Sequence, residues 1–147
     1  WSSAASDVYK RQILIIDDEG ELIEMLKARL EPIGYNVECA LNGPEGIDKA
    51  TSIKPDAILL DICMPDMDGW EVCKHLRETP NGESFKIIVI TATRKLKQAK
   101  DLGANHVILK PFNFEELIAV LHKLTKGWYG QCQNTNRRWR IWYCRAH

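Results

Sequence analysis

The chain has 147 residues, of which 45% are hydrophobic and 27% charged, and its formal net charge is zero. That length holds one domain with a sizeable core, and the balance excludes wholesale disorder and fibrous repeats. No apolar run approaches the ~20 residues needed to cross a bilayer, so no membrane partner is expected.

Ser2 to Gln12 (SSAASDVYKRQ) shows no hydrophobic periodicity and resembles a translated sequencing adapter, so residues 1–12 are read as a non-native flank. Ile13–Ile16 is a continuous apolar run ending at Asp17-Asp18, the mark of a strand buried on both faces. Leu22, Met25, Leu26 and Leu30 then fall at helical spacing before Pro32 and Gly34. Tyr35–Cys39 reads as a second strand, and Asn42 as the cap of a helix whose Ile47 and Ala50 face inward. Ala57–Leu60 is a third buried strand running into Asp61, followed by a loop carrying Pro65 and Gly69. Trp70, Val72, Cys73 and Leu76 mark the next helix, and Ile87–Ile90, ending at Thr91, the fourth strand. Leu96, Ala99 and Leu102 predict a short helix, Val107–Leu109 a fifth strand ending at Lys110, and Leu117, Ile118, Leu121 and Leu124 a last helix.

Strands alternating with helices over residues 13–125 predict a three-layer α/β domain on a parallel five-stranded sheet. The charge is divided along the chain: residues 13–125 hold 19 acidic and 13 basic residues, whereas 126–147 hold five basic and none acidic. Arg137, Arg138, Arg140 and Arg145 interleave there with Trp139, Trp142 and Tyr143, residue types that grip single-stranded nucleic acid. So short a segment has no helix-turn-helix pattern, so 126–147 is read as a linker stub or non-native tail and no nucleic-acid partner is assigned. Five cysteines without a C-x-x-C pair read as reduced thiols in a cytoplasmic protein, and the four histidines complete no zinc site.

Four of the five predicted strands, the first, third, fourth and fifth, deliver polar groups at their carboxyl ends: Asp17 and Asp18, Asp61, Thr91 and Lys110. Open α/β sheets bind ligands along that rim. Three carboxylates brought together repel, each pair by about 4 kcal/mol at 4 Å and an effective dielectric near 20, unless a cation neutralises them. Hard oxygen ligands with room for water and a phosphate oxygen suit Mg²⁺. Lys110 and the Thr91 hydroxyl then read as partners of an arriving anion, and aspartate is a competent nucleophile toward a phosphoryl group.

The segments ILIIDDE, LLDICMPDMDGWEV, VITA and ILKPF, in this order, resemble the receiver domain of two-component response regulators over essentially all of 13–125. The resemblance implies a doubly wound (βα)5 flavodoxin-like fold with strand order 2-1-3-4-5. It implies that Asp61 takes a phosphoryl group from a phosphohistidine of a sensor histidine kinase or histidine phosphotransfer protein. It further implies that Asp18, Asp61 and the backbone carbonyl of Cys63 hold Mg²⁺, that Asp17 acts mainly through water, and that Lys110 and Thr91 contact the phosphoryl oxygens. The output would go to a downstream effector protein or an effector domain once attached. The domain would be a signalling phosphoacceptor that assists its own phosphorylation and dephosphorylation, and no enzyme in the turnover sense. Val107 stands where most of the family has an aromatic switch residue, so coupling of Thr91 to a rotating ring is not expected.

Three other functions compete. An aspartate-nucleophile phosphohydrolase of haloacid dehalogenase type requires D-x-D after the first strand, where this chain has Asp17-Asp18-Glu19. A flavin carrier requires a Ser/Thr/Gly-rich phosphate loop, and three acids there would repel FMN. A pseudo-receiver that binds partners without phosphorylation does not need the complete set of five polar groups.

Overall fold

Four successive apolar residues, Ile13 to Ile16, leave a strand no polar face, and a strand of that kind is stable only with both faces covered. The computed structural model, which describes residues 10–64, 68–92 and 101–125, places it inside such a sheet. The elements are β1 (Arg11–Ile16), α1 (Gly20–Leu30), β2 (Tyr35–Ala40), α2 (Gly43–Ile53), β3 (Ala57–Asp61), α3 (Gly69–Glu78), β4 (Ile87–Thr91), β5 (His106–Leu109) and α4 (Phe114–Thr125). The helix expected around Leu96 and Ala99 and the tail from 126 lie outside the described residues.

The five strands are parallel and ordered β2-β1-β3-β4-β5, the doubly wound flavodoxin-like arrangement expected from the resemblance. The chain divides into two compact units, one through Lys110 and one from Pro111 onward. In the first, Leu14, Ile16, Ile58, Leu60, Ile87 and Val89 bury one face of the sheet with Ala50 of α2 and Val72, Cys73 and Leu76 of α3. Ile13, Ile15, Leu59, Ile88 and Ile90, which alternate with them, are as deeply buried. The described part of the second unit, residues 111–125, carries α4, whose Leu117, Ile118 and Leu121 are buried.

β1 begins two residues before its apolar run. Arg11 and Gln12 pair with Tyr35 and Asn36, and Asp56 holds them to the start of β3. The Gln12 amide donates to Asp56 Oδ2 at 2.7 Å, the Asp56 amide donates to the Gln12 carbonyl at 2.8 Å, and Arg11 Nη1 lies 3.5 Å from Asp56 Oδ1. Helix α2 starts where expected, with Asn42 Oδ1 accepting the Glu45 amide at 2.8 Å. Its Gly46 lies against Ile16, so close that a Cβ there would come within 2.5 Å of Ile16 Cδ1.

Helix α1 departs from expectation. It buries Ile23, Leu26 and Leu30, whereas Leu22 is half-buried and Met25 is 43% exposed. Four apolar residues within Leu22–Leu26 fill both sides of one turn, and periodicity alone cannot choose between them. Urea titration is expected to show Ile23→Ala losing about 2–4 kcal/mol, and Met25→Lys staying within about 0.5 kcal/mol of the parent.

Candidate functional site

Strand register assembles the rim. Ile16 pairs with Leu60, so the next residues, Asp17 and Asp61, emerge side by side from β1 and β3. Asp61 pairs with Ile90 and Thr91 with Leu109, which brings Thr91 and then Lys110 onto the same edge. The Lys110 amide donates to the Thr91 carbonyl at 2.8 Å and fastens the end of β5 to the end of β4.

Asp17, Asp18 and Asp61 each offer a carboxylate oxygen within 4.8 Å of the others. Asp17 and Asp61 are buried, 3% and 5% exposed, while Asp18 faces solvent. Backbone amides fix the two buried carboxylates: Glu19 N donates to Asp17 Oδ1 at 2.8 Å, and Cys63 N to Asp61 Oδ1 at 3.0 Å. Lys110 Nζ stands 3.6 Å from Asp61 Oδ2, 3.8 Å from Asp17 Oδ2 and 3.7 Å from Glu19 Oε2. These are ion-pair distances, longer than a hydrogen bond to any one oxygen. The ammonium is therefore shared among three acids and committed to none.

Among the described residues, one cation stands against four carboxylates and leaves the rim acidic. Burial pushes the Asp17 carboxyl up to about 6, and the neighbouring Asp61 charge adds to the rise. The Glu19 amide bond and the Lys110 charge oppose it. A group held this far from its usual range by desolvation and a like charge is one whose ionised form a bound divalent cation would stabilise. The donor set fits Mg²⁺: hard oxygens, few in number, open to solvent through Asp18.

The reading from residues alone passed over two contributors. Glu19, the third acid in the run after β1, reaches Lys110. Gly69, the first residue of α3, packs against the strand end: a Cβ there would lie 2.5 Å from Ile62 Cα and 2.6 Å from the Asp61 carbonyl oxygen. Its amide donates to the Ile62 carbonyl at 3.2 Å, and Asp68 Oδ1 caps the helix by accepting the Trp70 amide at 3.1 Å. Sequence could show only a glycine next to a capping Asp; the close approach is tertiary. Thr91 is buried at 1% exposure, and Val107 is half-buried, paired opposite Val89 on the side of the core.

With this geometry established, similarity to known proteins is decisive. Residues 13–122 match the family described as the response regulator receiver domain. The chain belongs to the response regulator receiver family. This receiver is 40% identical over 118 residues to the response regulator MprA of Mycolicibacterium vanbaalenii, an alignment covering 78% of this chain and 50% of MprA. The chain thus spans about half the length of the MprA proteins it matches. Among solved structures, the receiver is similar to the response regulator TrrA of Thermotoga maritima in complex with Mg²⁺–BeF (35% identity, TM-score 0.69, 78% of this chain and 98% of TrrA). It is also similar to the receiver domain of the sensor histidine kinase PA1611 of Pseudomonas aeruginosa, with magnesium coordinated in its active-site cleft (27% identity, TM-score 0.74, 80% of this chain and 99% of that domain). The phosphohydrolase and pseudo-receiver alternatives find no support in these similarities. Among the described residues no helix is long and apolar enough to cross a membrane.

Proposed function

We propose that residues 13–125 form a phosphoaccepting signalling unit in which Asp61 receives a phosphoryl group from a phosphohistidine of a sensor histidine kinase or histidine phosphotransfer protein. The observation that carries this reading is the buried Asp61 carboxylate, gathered with Asp17 and Asp18 and standing 3.6 Å from the Lys110 ammonium. Asp18, Asp61 and the Cys63 carbonyl would hold Mg²⁺, with Asp17 acting mainly through water. When bound, that ion supplies positive charge that offsets the crowded carboxylates and the incoming phosphoryl oxygens.

The Cys63 amide orients the Asp61 carboxylate. An Asp61 oxygen attacks phosphorus; the new P–O bond forms as the P–N bond to the donor imidazole breaks, and the imidazole nitrogen leaves with the bonding pair. Lys110, held loosely among three acids, follows the charge onto the phosphoryl oxygens, and Thr91 adds its hydroxyl. Positioning and charge neutralisation carry the catalysis. The unit is thus a phosphoacceptor that assists its own modification, not a turnover enzyme. Phosphorylation adds close to two negative charges. Output to an effector protein or an attached effector domain proceeds without a rotating ring, because Val107 has none. The free thiols of Cys39, Cys63 and Cys73 suit a reducing, cytoplasmic setting.

Intact mass after incubation with acetyl phosphate and Mg²⁺ tests the reading. The protein is expected to gain one phosphoryl group, and Asp61→Asn to gain none. Uptake undiminished in Asp61→Asn, or rapid donor hydrolysis with no adduct, would overturn it.

A further inference from the structure

At the end of the sheet opposite the acidic rim, Arg77 grips the approaches to β4 and β5. Arg77, near the end of α3, donates from Nε and Nη2 to the Gly103 carbonyl at 2.9 and 2.5 Å. Its Nη1 donates to the carbonyls of Gly82 and Phe85 at 2.6 and 2.7 Å, and Nη2 also to Asn105 Oδ1 at 2.7 Å. The same Asn105 oxygen accepts the Ile87 amide at 2.8 Å, while the Asn105 amide donates to the Ile87 carbonyl at 2.8 Å. Gly103 makes room for the guanidinium by turning to φ 88°, and a Cβ there would press to 3.0 Å from Arg77 Nε. Arg77 therefore ties the entry of β5 to the entry of β4.

That tie reaches the chemistry because β5 is short and Arg77 fixes its start, as the Lys110–Thr91 bond fixes its end. The strand is four residues long and, among the described residues, lies at the edge of the sheet and pairs with β4 alone. Lys110 follows it directly, and no hydrogen bond to the acids fixes its amine, whose nearest carboxylate oxygen is 3.6 Å away. The location of the ammonium is inherited from the register and tautness of β5. We propose that Arg77, acting through Asn105, is a positioning residue that sets Lys110 against the acceptor carboxylate from the far end of the strand. The proposal rests on the reading of Asp61 as phosphoacceptor.

The test uses Arg77→Gln and Asn105→Ala in the full chain, each alone and combined with Lys110→Ala. Asn105 is exposed, so its variant carries the test if Arg77→Gln fails to fold. Each single variant is expected to take up phosphoryl from acetyl phosphate about tenfold more slowly, with Mg²⁺ affinity by calorimetry unchanged because the carboxylates sit on β1 and β3. In the Lys110→Ala background neither is expected to slow uptake further. Amide exchange at Lys110, measured without phosphodonor, is expected to accelerate relative to Ile15. An undiminished slowing in the Lys110→Ala background, a parallel fall in Mg²⁺ affinity, an unchanged rate, or unchanged Lys110 exchange would each overturn the proposal. If the parent protein takes up no phosphoryl group, the Asp61 reading fails, and the exchange measurement alone decides whether Arg77 positions Lys110.

Discussion

Gly69→Ala is expected to destabilise the protein by about 3 kcal/mol, at the upper end of the cost of overpacking a tight interior, and to slow phosphoryl uptake by about two orders of magnitude. The added Cβ would sit 2.5 Å from Ile62 Cα, and an ordinary contact begins at 3.4 Å, so the facing chain must retreat by about 0.9 Å. The obstacle is backbone, which has no rotamer to offer. The backbone that must move is the Asp61–Ile62 step, whose displacement carries the Asp61 carboxylate away from Asp17 and Lys110. Gly20→Ala is the matched control, since a Cβ there meets nothing within 4 Å. It is expected to be neutral or slightly stabilising in the same urea titration. Parental stability and uptake in Gly69→Ala would show that the α3 start gives way without moving Asp61.

The second large effect is electrostatic. Asp17→Asn is expected to stabilise the metal-free protein at neutral pH by about 3 kcal/mol, the equivalent of a shift from 3.8 to about 6. Asparagine keeps an oxygen for the Glu19 amide and removes the buried charge. The pH dependence separates this from generic packing. A carboxyl raised from 3.8 to about 6 binds a proton more tightly in the folded state, so its contribution is full below pH 3.8 and is lost as pH rises through 6. His122 of α4 acts in the opposite sense: burial lowers it from 6.5 to about 4, so its contribution is present above 6.5 and is lost as pH falls toward 4. Between pH 4 and 6 the two slopes oppose, and the stability of the metal-free parent is expected to be nearly flat. Asp17→Asn leaves only the His122 slope, so its stability is expected to rise with pH across that window. Equilibrium unfolding in EDTA checks this, and the same flat profile in the variant would refute it. Adding Mg²⁺ is expected to stabilise the parent by mass action, about 2.7 kcal/mol at a hundredfold excess over Kd, and Asp17→Asn by less.

The strand cores and the rim were legible in the sequence because a strand buried on both faces is written as an uninterrupted apolar run. The polar residue that ends each run, Asp17, Asp61, Thr91 or Lys110, must lie at the sheet's carboxyl edge. Asn42 was legible for a local reason as well, its side chain serving an amide three residues on. The buried face of α1 was ambiguous because Leu22, Ile23, Met25 and Leu26 offer more apolar side chains than the core has places. Gly69 and Arg77 were not legible. What each does depends on where the chain passes in space, against the backbone after β3 for one and against the approach to β5 for the other. Glu19 lay in plain view beside two stronger candidates, and only the span of the Lys110 side chain shows that it competes for the ammonium.

Because every strand runs the same way, the sheet has a reactive border and a fastening border, about 16 Å apart along the five residues of β3. Asp56 and Arg77 close the fastening border with bonds that recognise mostly main-chain atoms, so outside Gly82, Gly103 and Asn105 the loops they grip can change sequence so long as the carbonyls stay in place. Selection for a new signalling partner can therefore rewrite loops at the reactive border while the opposite border goes on holding the strands in step, and inheritance of the chemistry is separated from inheritance of the scaffold.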